Sequence, residues 1–286
     1  MLVVLLAGAL VGAAACSSSS GGAKRLRIVA SFYPLAWAAR AIAPDAEVVD
    51  LTPPGGEAHD LQLTARQRVA IQEASVLLIV GKGFQPDVER AASDARGVVS
   101  NALLGIDLLP SKEKELRADP HVWLDPVLMR EVVGLILSAI VHADPANHQR
   151  YVRHLNELSV PLDQLHRGYQ ALATCELKTL VTTHEAFGYL AREYGLTQLG
   201  LTGLTPEAEP TARAIARARD LARRGEIAAI FFESSDEGTR IGRSVAGDVG
   251  VSARPLSTIE SAPSKGDYLT QMTANLAELK MGLRCR

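Results

Sequence analysis

Residues 75–83 read SVLLIVGKG, a continuous apolar run that ends in glycine and lysine. Such a run is typical of a strand buried on both faces of a sheet. Similar runs recur along the chain, and the segments between them show helical patterns. Seven further strands are predicted at 25–32, 47–52, 97–103, 178–184, 196–203, 226–234 and 251–258. Buried strands that alternate with helices predict parallel sheets covered by helices on both faces.

The strands form two groups of four, separated by a stretch that contains none. We therefore predict an α/β fold with two lobes, 24–125 and 174–286, each built on a parallel four-stranded sheet flanked by helices. Residues 126–173 are predicted to be helical. Within them, Asp144-Pro145 is a good N-cap and first-turn pair for a helix that runs to Cys175. Such a helix would approach about 40 Å in length and run along both lobes; Pro161 should bend or interrupt it.

The first residues are predicted to form a targeting signal rather than part of the fold. Residues 1–15 read MLVVLLAGALVGAAA, an apolar run of signal-peptide length that leads through small residues into Cys16. A Ser/Gly run follows, so 16–23 is predicted to be a flexible tether. The pattern resembles the bacterial lipoprotein signal, in which the cysteine is lipidated and anchors the protein outside the cytoplasm. No Lys or Arg precedes the apolar run, unlike most such signals, and an ordinary buried helix is the alternative.

The charge balance excludes one broad class of partner. The 286 residues include 30 Lys and Arg against 32 Asp and Glu, a formal net charge of −2. Nucleic-acid-binding proteins normally carry a basic excess or a basic stripe, so no nucleic acid is expected as a partner. Hydrophobic residues make up 47% of the chain and charged residues 22%, as in an average soluble domain.

Apart from Cys16, the chain has two cysteines, Cys175 and Cys285. An even pair in an oxidising compartment suggests one disulfide, which would tie the start of the second lobe to the end of the chain. Two unrelated buried thiols are the alternative.

Three of the seven histidines follow predicted strands or lie in loops. His59 occurs in PPGGEAHDLQLT, His121 in ADPHVWLDP and His184 in VTTHEAFGYL. Because ligands of open parallel sheets bind beyond the carboxyl ends of the strands, these side chains can converge there. Three imidazoles suit Zn²⁺, and Glu260, after the last strand, is a candidate fourth ligand. The other four histidines are assigned to helix surfaces and receive no role: His142, His148, His154 and His166.

Three histidines and a water molecule would also serve a zinc hydrolase, because that ligand set leaves a position open. The chain contains no HExxH motif, no GxSxG elbow and no P-loop. We therefore expect a binding protein rather than an enzyme, with the zinc hydrolase as the alternative.

An ordered set of motifs resembles one known family. SFYPLAWAARAIA, GGEAHDLQLTARQ, ADPHVWLDP, VTTHEAFGYLAREYG, LTGLTPEAEPT and GDYLTQMTANL are similar to segments of the zinc and manganese substrate-binding proteins of bacterial ABC importers, cluster A-I. The resemblance covers nearly all of 25–283. It implies two α/β lobes joined by a long rigid helix, with the metal bound in the cleft between them.

The resemblance implies His59 and His121 from the first lobe and His184 from the second as metal ligands. Manganese-binding members carry Glu at the third position, so His184 favours Zn²⁺ over Mn²⁺, which remains the alternative. Many zinc-binding relatives also carry a His-rich loop before the second ligand, whereas this chain has IDLLPSKEKELRADP there. Zinc capture should therefore not depend on such a loop.

The fourth ligand is less closely determined. Glu260 in STIESAP is the best candidate, and Glu57 or a water molecule is the alternative. Glu185 should point away from the site. Glu233 either lines the cleft or is a polar residue at a helix entrance.

Asp119 and Asp125 flank His121 in ADPHVWLDP. They either orient the imidazole ring by accepting its second N–H or cap a helix.

The resemblance also implies partners and a location. The protein is expected to be a monomer, lipid-anchored to the membrane outside the cytoplasm, that passes its transported Zn²⁺ to an ABC permease with its ATPase. A surface adhesin is a further possibility from the same family, without any sequence feature that speaks for it.

Overall fold

The computed structural model describes residues 25–59, 61–114, 116–205 and 209–285. The predicted signal peptide 1–15, the tether 16–23 and the lipidation site Cys16 lie outside these residues.

The first lobe is built on a sheet of four parallel strands in the order β2-β1-β3-β4. The strands are β1 (Arg27–Ala30), β2 (Glu47–Asp50), β3 (Val76–Ile79) and β4 (Val98–Asn101). The helices are α1 (Tyr33–Ile42), α2 (Ala65–Glu73) and α3 (Pro86–Ala91). Every residue of β3 is buried, as its continuous apolar sequence predicts. Thr64 and Gln67 form a capping box that begins α2.

Two helices form the middle of the chain, α4 (Pro126–Ala143) and α5 (His148–Tyr169). The helical prediction for this stretch is confirmed, because a continuous helical run of 30 residues begins at Pro145, after Asp144, and ends at Thr174, directly before Cys175. Pro145 lies in a short 3₁₀ turn, and α5 has 22 residues, about 33 Å. The Asp144 carboxylate does not cap α5; it accepts hydrogen bonds from Asn147 and from the Tyr151 hydroxyl at 2.6 Å.

Pro161 lies inside α5 and does not interrupt it. A proline in a helix leaves the carbonyl four residues earlier without its usual donor. That carbonyl belongs to Glu157, at an exposed position where water can satisfy it. Leu158 and Leu162, which lie one turn apart on an adjoining face, are buried. Their packing supports the helix across the proline.

The second lobe repeats the plan of the first, with four parallel strands in the order β6-β5-β7-β8. The strands are β5 (Thr179–Thr182), β6 (Thr197–Gly200), β7 (Ala229–Phe232) and β8 (Ser252–Pro255). The helices are α6 (Gly188–Glu193), α7 (Ala212–Arg223), α8 (Asp236–Val249) and α9 (Tyr268–Gly282). The sequence predicted all eight strands. It did not predict α6, which is too short to show a clear helical period.

One hydrophobic core extends through both lobes, and α5 joins them. The helix packs against α1 and α4 on one side and against α9 on the other. The Tyr169 hydroxyl at its end donates to the carbonyl of Met272 in α9 at 2.8 Å. Helix α4 is long and apolar enough to cross a membrane by composition alone. However, its apolar face is buried against α1 and α5, which makes it a core helix of this fold.

Cys175 and Cys285 form a disulfide bond, which confirms the pairing suggested by the sequence. It joins the chain just before β5 to the chain just after α9. A hydrogen bond from the Leu177 amide to the Leu283 carbonyl lies beside it, at 3.1 Å.

Candidate metal centre

Four candidate ligands come from loops that follow strands in the two lobes. His59 follows β2, and His121 lies between β4 and α4 in the first lobe. In the second lobe His184 comes two residues after β5, and Glu260 follows β8. Because every strand is parallel to its neighbours, these loops gather at the carboxyl edge of each sheet, as the sequence predicted.

The side chains of these four residues meet in one buried cluster. One ligand atom from each of His59, His121, His184 and Glu260 lies within 4.8 Å of the others. Relative exposures are 6%, 0%, 2% and 7%, respectively. Among the described residues, no other group of three or more His, Cys, Asp or Glu side chains has such an arrangement.

The spacing of the cluster suits a small divalent cation. The Nε2 atoms of His59 and His121 lie 3.6 and 3.7 Å from Oε1 of Glu260. A tetrahedral site with zinc–ligand bonds of about 2.0–2.1 Å has edges of about 3.4 Å. These three atoms are buried and have no hydrogen-bond partner. Since buried polar atoms are normally paired, their convergence indicates that they serve a ligand.

Asp119 orients His121. Its Oδ1 accepts a hydrogen bond from Nδ1 of His121 at 2.8 Å, which leaves Nε2 to face Glu260. Metal-binding histidines usually have such a partner on the second nitrogen. Asp125 has the second role that the sequence suggested, that of a helix cap. Its carboxylate accepts a hydrogen bond from the Val127 amide at the start of α4. Burial raises the pKa of each carboxyl group to about 7.

His184 is hydrogen-bonded on both sides of its ring. Nδ1 contacts Oε1 of Glu233 at 2.6 Å, and Nε2 contacts the carbonyl oxygen of Leu204 at 2.7 Å. Burial lowers the pKa of His184, but the charge and hydrogen bond of Glu233 outweigh it and raise the pKa to about 9. Glu233 therefore lines the cleft, one of the two roles that the sequence left open.

The pKa values of the other two imidazoles, His121 and His59, are shifted in opposite directions. Burial, together with the neighbouring His184 and His59, holds the pKa of His121 well below its usual range. For His59, burial lowers the pKa, but the charge of Glu260 outweighs it and raises the pKa. His121 thus presents a neutral ring, the form that a metal requires.

The Glu260 loop is held by the first lobe. Nε1 of Trp123 donates to the carbonyl of Thr258 at 2.7 Å. The next residue, Ile259, has φ of 57°, a conformation that is strained for a β-branched side chain. Such strain persists only where surrounding contacts impose it. Here it positions the backbone so that Glu260 enters the cluster.

The remaining carboxylates lie outside the four-residue cluster. Glu57 is exposed. Burial raises the pKa of Glu260, but the charges of His59 and His184 outweigh it and lower the pKa, and Glu57 adds only the smallest contribution. The side chain of Glu185 packs beside Gly200 of β6, away from the cluster as expected.

The sequence did not reveal two contacts that join the lobes beside the cluster. The Tyr189 hydroxyl of α6 donates to the Asp119 carbonyl at 2.7 Å. The Glu113 carboxylate accepts from the Leu204 amide. Both pairs are far apart in sequence and belong to no motif, so no local signal could have identified them.

Comparisons with known proteins agree with the fold and identify the family. The family model described as "Zinc-uptake complex component A periplasmic" matches residues 28–282. The high-affinity zinc uptake system protein ZnuA of Bacillus subtilis is 32% identical over 300 residues, covering 96% of this chain and 94% of that protein.

Two further similarities come from Streptococcus pneumoniae. The zinc-binding lipoprotein AdcA is 28% identical over 288 residues, which cover 93% of this chain but only 57% of AdcA. The crystal structure of the Zn(II)-bound ZnuA-like domain of AdcA has a TM-score of 0.79 and 28% identity. That match covers 91% of this chain and 99% of the domain. The chain therefore belongs to the ZnuA family, the periplasmic component A of zinc-uptake complexes.

Proposed function

We propose that this chain captures one Zn²⁺ ion outside the cytoplasm through His59, His121, His184 and Glu260 and delivers it to an ABC permease. The observation that carries the proposal is the buried cluster, in which four ligand atoms lie within 4.8 Å of one another. Three of these atoms have no hydrogen-bond partner. Membership in a family of zinc-uptake components supports the role of a binding protein rather than an enzyme.

The donor set favours zinc over manganese. Three imidazole nitrogens and one carboxylate oxygen suit Zn²⁺, whereas Mn²⁺ prefers sites rich in oxygen. The names of the relatives are consistent with this choice, since both the Bacillus subtilis protein and AdcA are named for zinc. With Glu260 as a protein ligand the site is closed, without the open position that a zinc hydrolase needs.

Family membership makes the protein a component of an uptake complex, so a permease with its ATPase is the implied partner. We propose further that Cys16 carries a lipid anchor and that the mature protein is a monomer. The apolar run before Cys16 and the Ser/Gly run after it support the anchor. AdcA, one of the relatives, is named a lipoprotein. The proposed lobes are 24–125 and 174–286, linked by 126–173.

The proposal is tested with the chain from residue 24 onward, purified and stripped of metal. Calorimetric titration should give one tight Zn²⁺ site per chain and much weaker binding of Mn²⁺. A His59→Ala/His121→Ala double variant should lose that site, whereas His142→Ala/His148→Ala, which removes two exposed imidazoles from helix surfaces, should keep it. Tight binding that survives the first double variant would contradict the proposed ligands.

A further inference from the structure

One short loop of the second lobe, residues 203–205, contacts both a proposed ligand and the first lobe. On one side, the Leu204 carbonyl accepts a hydrogen bond from Nε2 of His184 at 2.7 Å. On the other side, the Leu204 amide donates to Oε1 of Glu113. A single residue therefore connects His184 to Glu113, which belongs to the segment between β4 and α4.

Glu113 makes a second contact with the loop and is itself held in place. Its Oε2 accepts from the Thr205 hydroxyl at 3.2 Å, so the carboxylate binds two successive residues. Its own amide donates to Oγ of Ser111 at 2.9 Å. Hydrogen bonds to an ionised carboxylate are stronger than those between neutral groups. Glu113 thus fixes the 203–205 loop across the boundary between the lobes.

Gly203 allows this close approach. A Cβ atom at position 203 would overlap Oε1 of Glu113, so the carboxylate would have to shift from its present position. The Gly203 carbonyl accepts from the amide of Glu185, next to His184, at 2.8 Å. The loop is therefore fixed at one end beside a proposed ligand and at the other by Glu113.

The Leu204 contact and metal coordination exclude each other at Nε2 of His184. To donate to a carbonyl, Nε2 must carry a proton, whereas a metal needs the lone pair of that nitrogen. Nδ1 is the less suitable ligand, because it contacts Glu233, and metal-binding histidines usually keep such a carboxylate partner. Coordination through Nε2 therefore requires Leu204 to move away from the ring.

We propose that Glu113 is a positioning residue that holds Leu204 on His184 in competition with the metal, and so sets the affinity and the rate of zinc capture. The proposal rests on the zinc function proposed above. Glu113 is not a ligand; it acts through the 203–205 loop. Removing the hydrogen bonds from Glu113 to the 203–205 loop should let Leu204 leave His184 more easily, and zinc binding should become tighter and faster.

The test compares Glu113→Ala with the wild-type chain from residue 24 onward. Zinc affinity is measured by competition with a fluorescent chelator, and association by stopped flow. The variant should bind Zn²⁺ about three- to tenfold more tightly, the equivalent of one hydrogen bond, and should bind faster. Glu113→Gln, which keeps an acceptor for the amide, should lie between the two. Glu131→Ala removes an exposed carboxylate from α4 and should change neither quantity.

Amide hydrogen exchange of the peptide that contains Leu204 supplies an independent readout in the wild-type protein. Adding Zn²⁺ should speed exchange at the Leu204 amide, because the loop leaves Glu113. Unchanged or weaker zinc binding in Glu113→Ala, or greater protection of Leu204 with zinc, would overturn the proposal. A wild-type chain that fails to bind zinc would instead refute the proposed function.

Discussion

Asp119 and His121 form a buried pair in which Oδ1 of the aspartate and Nδ1 of the imidazole are 2.8 Å apart. The same carboxylate oxygen accepts the backbone amide of His121 at 3.0 Å, so it fixes both the ring and the chain that carries it. This pair decides which nitrogen of His121 faces the other ligands.

Replacing Asp119 should weaken zinc binding although the residue is not a ligand. Asp119→Ala frees the ring to rotate and to change tautomer, and we expect a loss of affinity of about 10- to 100-fold by calorimetry. Asp125→Ala is the matched control, since this aspartate is also buried but caps α4. It should reduce the free energy of unfolding by about 1 kcal/mol and leave affinity nearly unchanged. Equal effects of the two variants on affinity would argue against the orienting role of Asp119.

Glu260 and Glu57 can be separated by charge-neutral substitutions. Glu260→Gln keeps the size of the side chain but removes the carboxylate that approaches His59 and His121, so zinc affinity should fall by at least about 100-fold. Glu57→Gln should change affinity only a few-fold, because Glu57 is exposed and outside the cluster. The reverse order of effects would make Glu57 the fourth ligand.

Zinc binding should release protons near neutral pH. The pKa of His184 is raised to about 9, so its ring is protonated at pH 7.5 and must lose a proton to coordinate a metal. His121, whose pKa is lowered, is already neutral there and contributes none. Affinity should therefore rise by up to about tenfold per pH unit between pH 7 and 9 and fall as the pH drops.

Calorimetry at pH 7.5 in buffers of different ionisation enthalpy counts the protons released by zinc. About one proton is expected from His184, with a further contribution from His59, whose pKa is also raised. Glu233→Gln removes the charge that raises the pKa of His184, so this variant should release fewer protons. A binding enthalpy that does not depend on the buffer would contradict the prediction.

The disulfide should stabilise the fold without affecting the metal site. Cys175 and Cys285 are 110 residues apart in sequence, so the bond restricts a long loop of the unfolded chain. The Cys175→Ser/Cys285→Ser variant should lose about 2–5 kcal/mol of unfolding free energy in urea denaturation. Zinc affinity should remain within about twofold, because the bond lies before β5 whereas His184 follows that strand. A large loss of affinity would instead show that the two regions are coupled.

Much of this protein can be predicted from patterns that are local in sequence. The apolar runs that predict β3 and β7 work because strands covered on both faces must be apolar throughout. The three histidines could be identified because parallel strands bring the loops at their carboxyl ends together. One local detail differs from the prediction: Asp144 lies at the predicted N-cap position, but its carboxylate accepts from the Tyr151 hydroxyl and makes no capping hydrogen bond to the amides of the first turn.

The tertiary structure alone decided the orientation and the contacts of the ligands. Alternation along the sequence shows that a histidine follows a strand, but not which ring nitrogen faces the site. That depends on Asp119 for His121 and on Glu233 and Leu204 for His184. The contact between Glu113 and Leu204 spans 91 residues and leaves no trace in local periodicity. Hydrogen bonds of this kind require two chain segments to meet at about 3 Å, and only the packing of the two lobes determines where they meet.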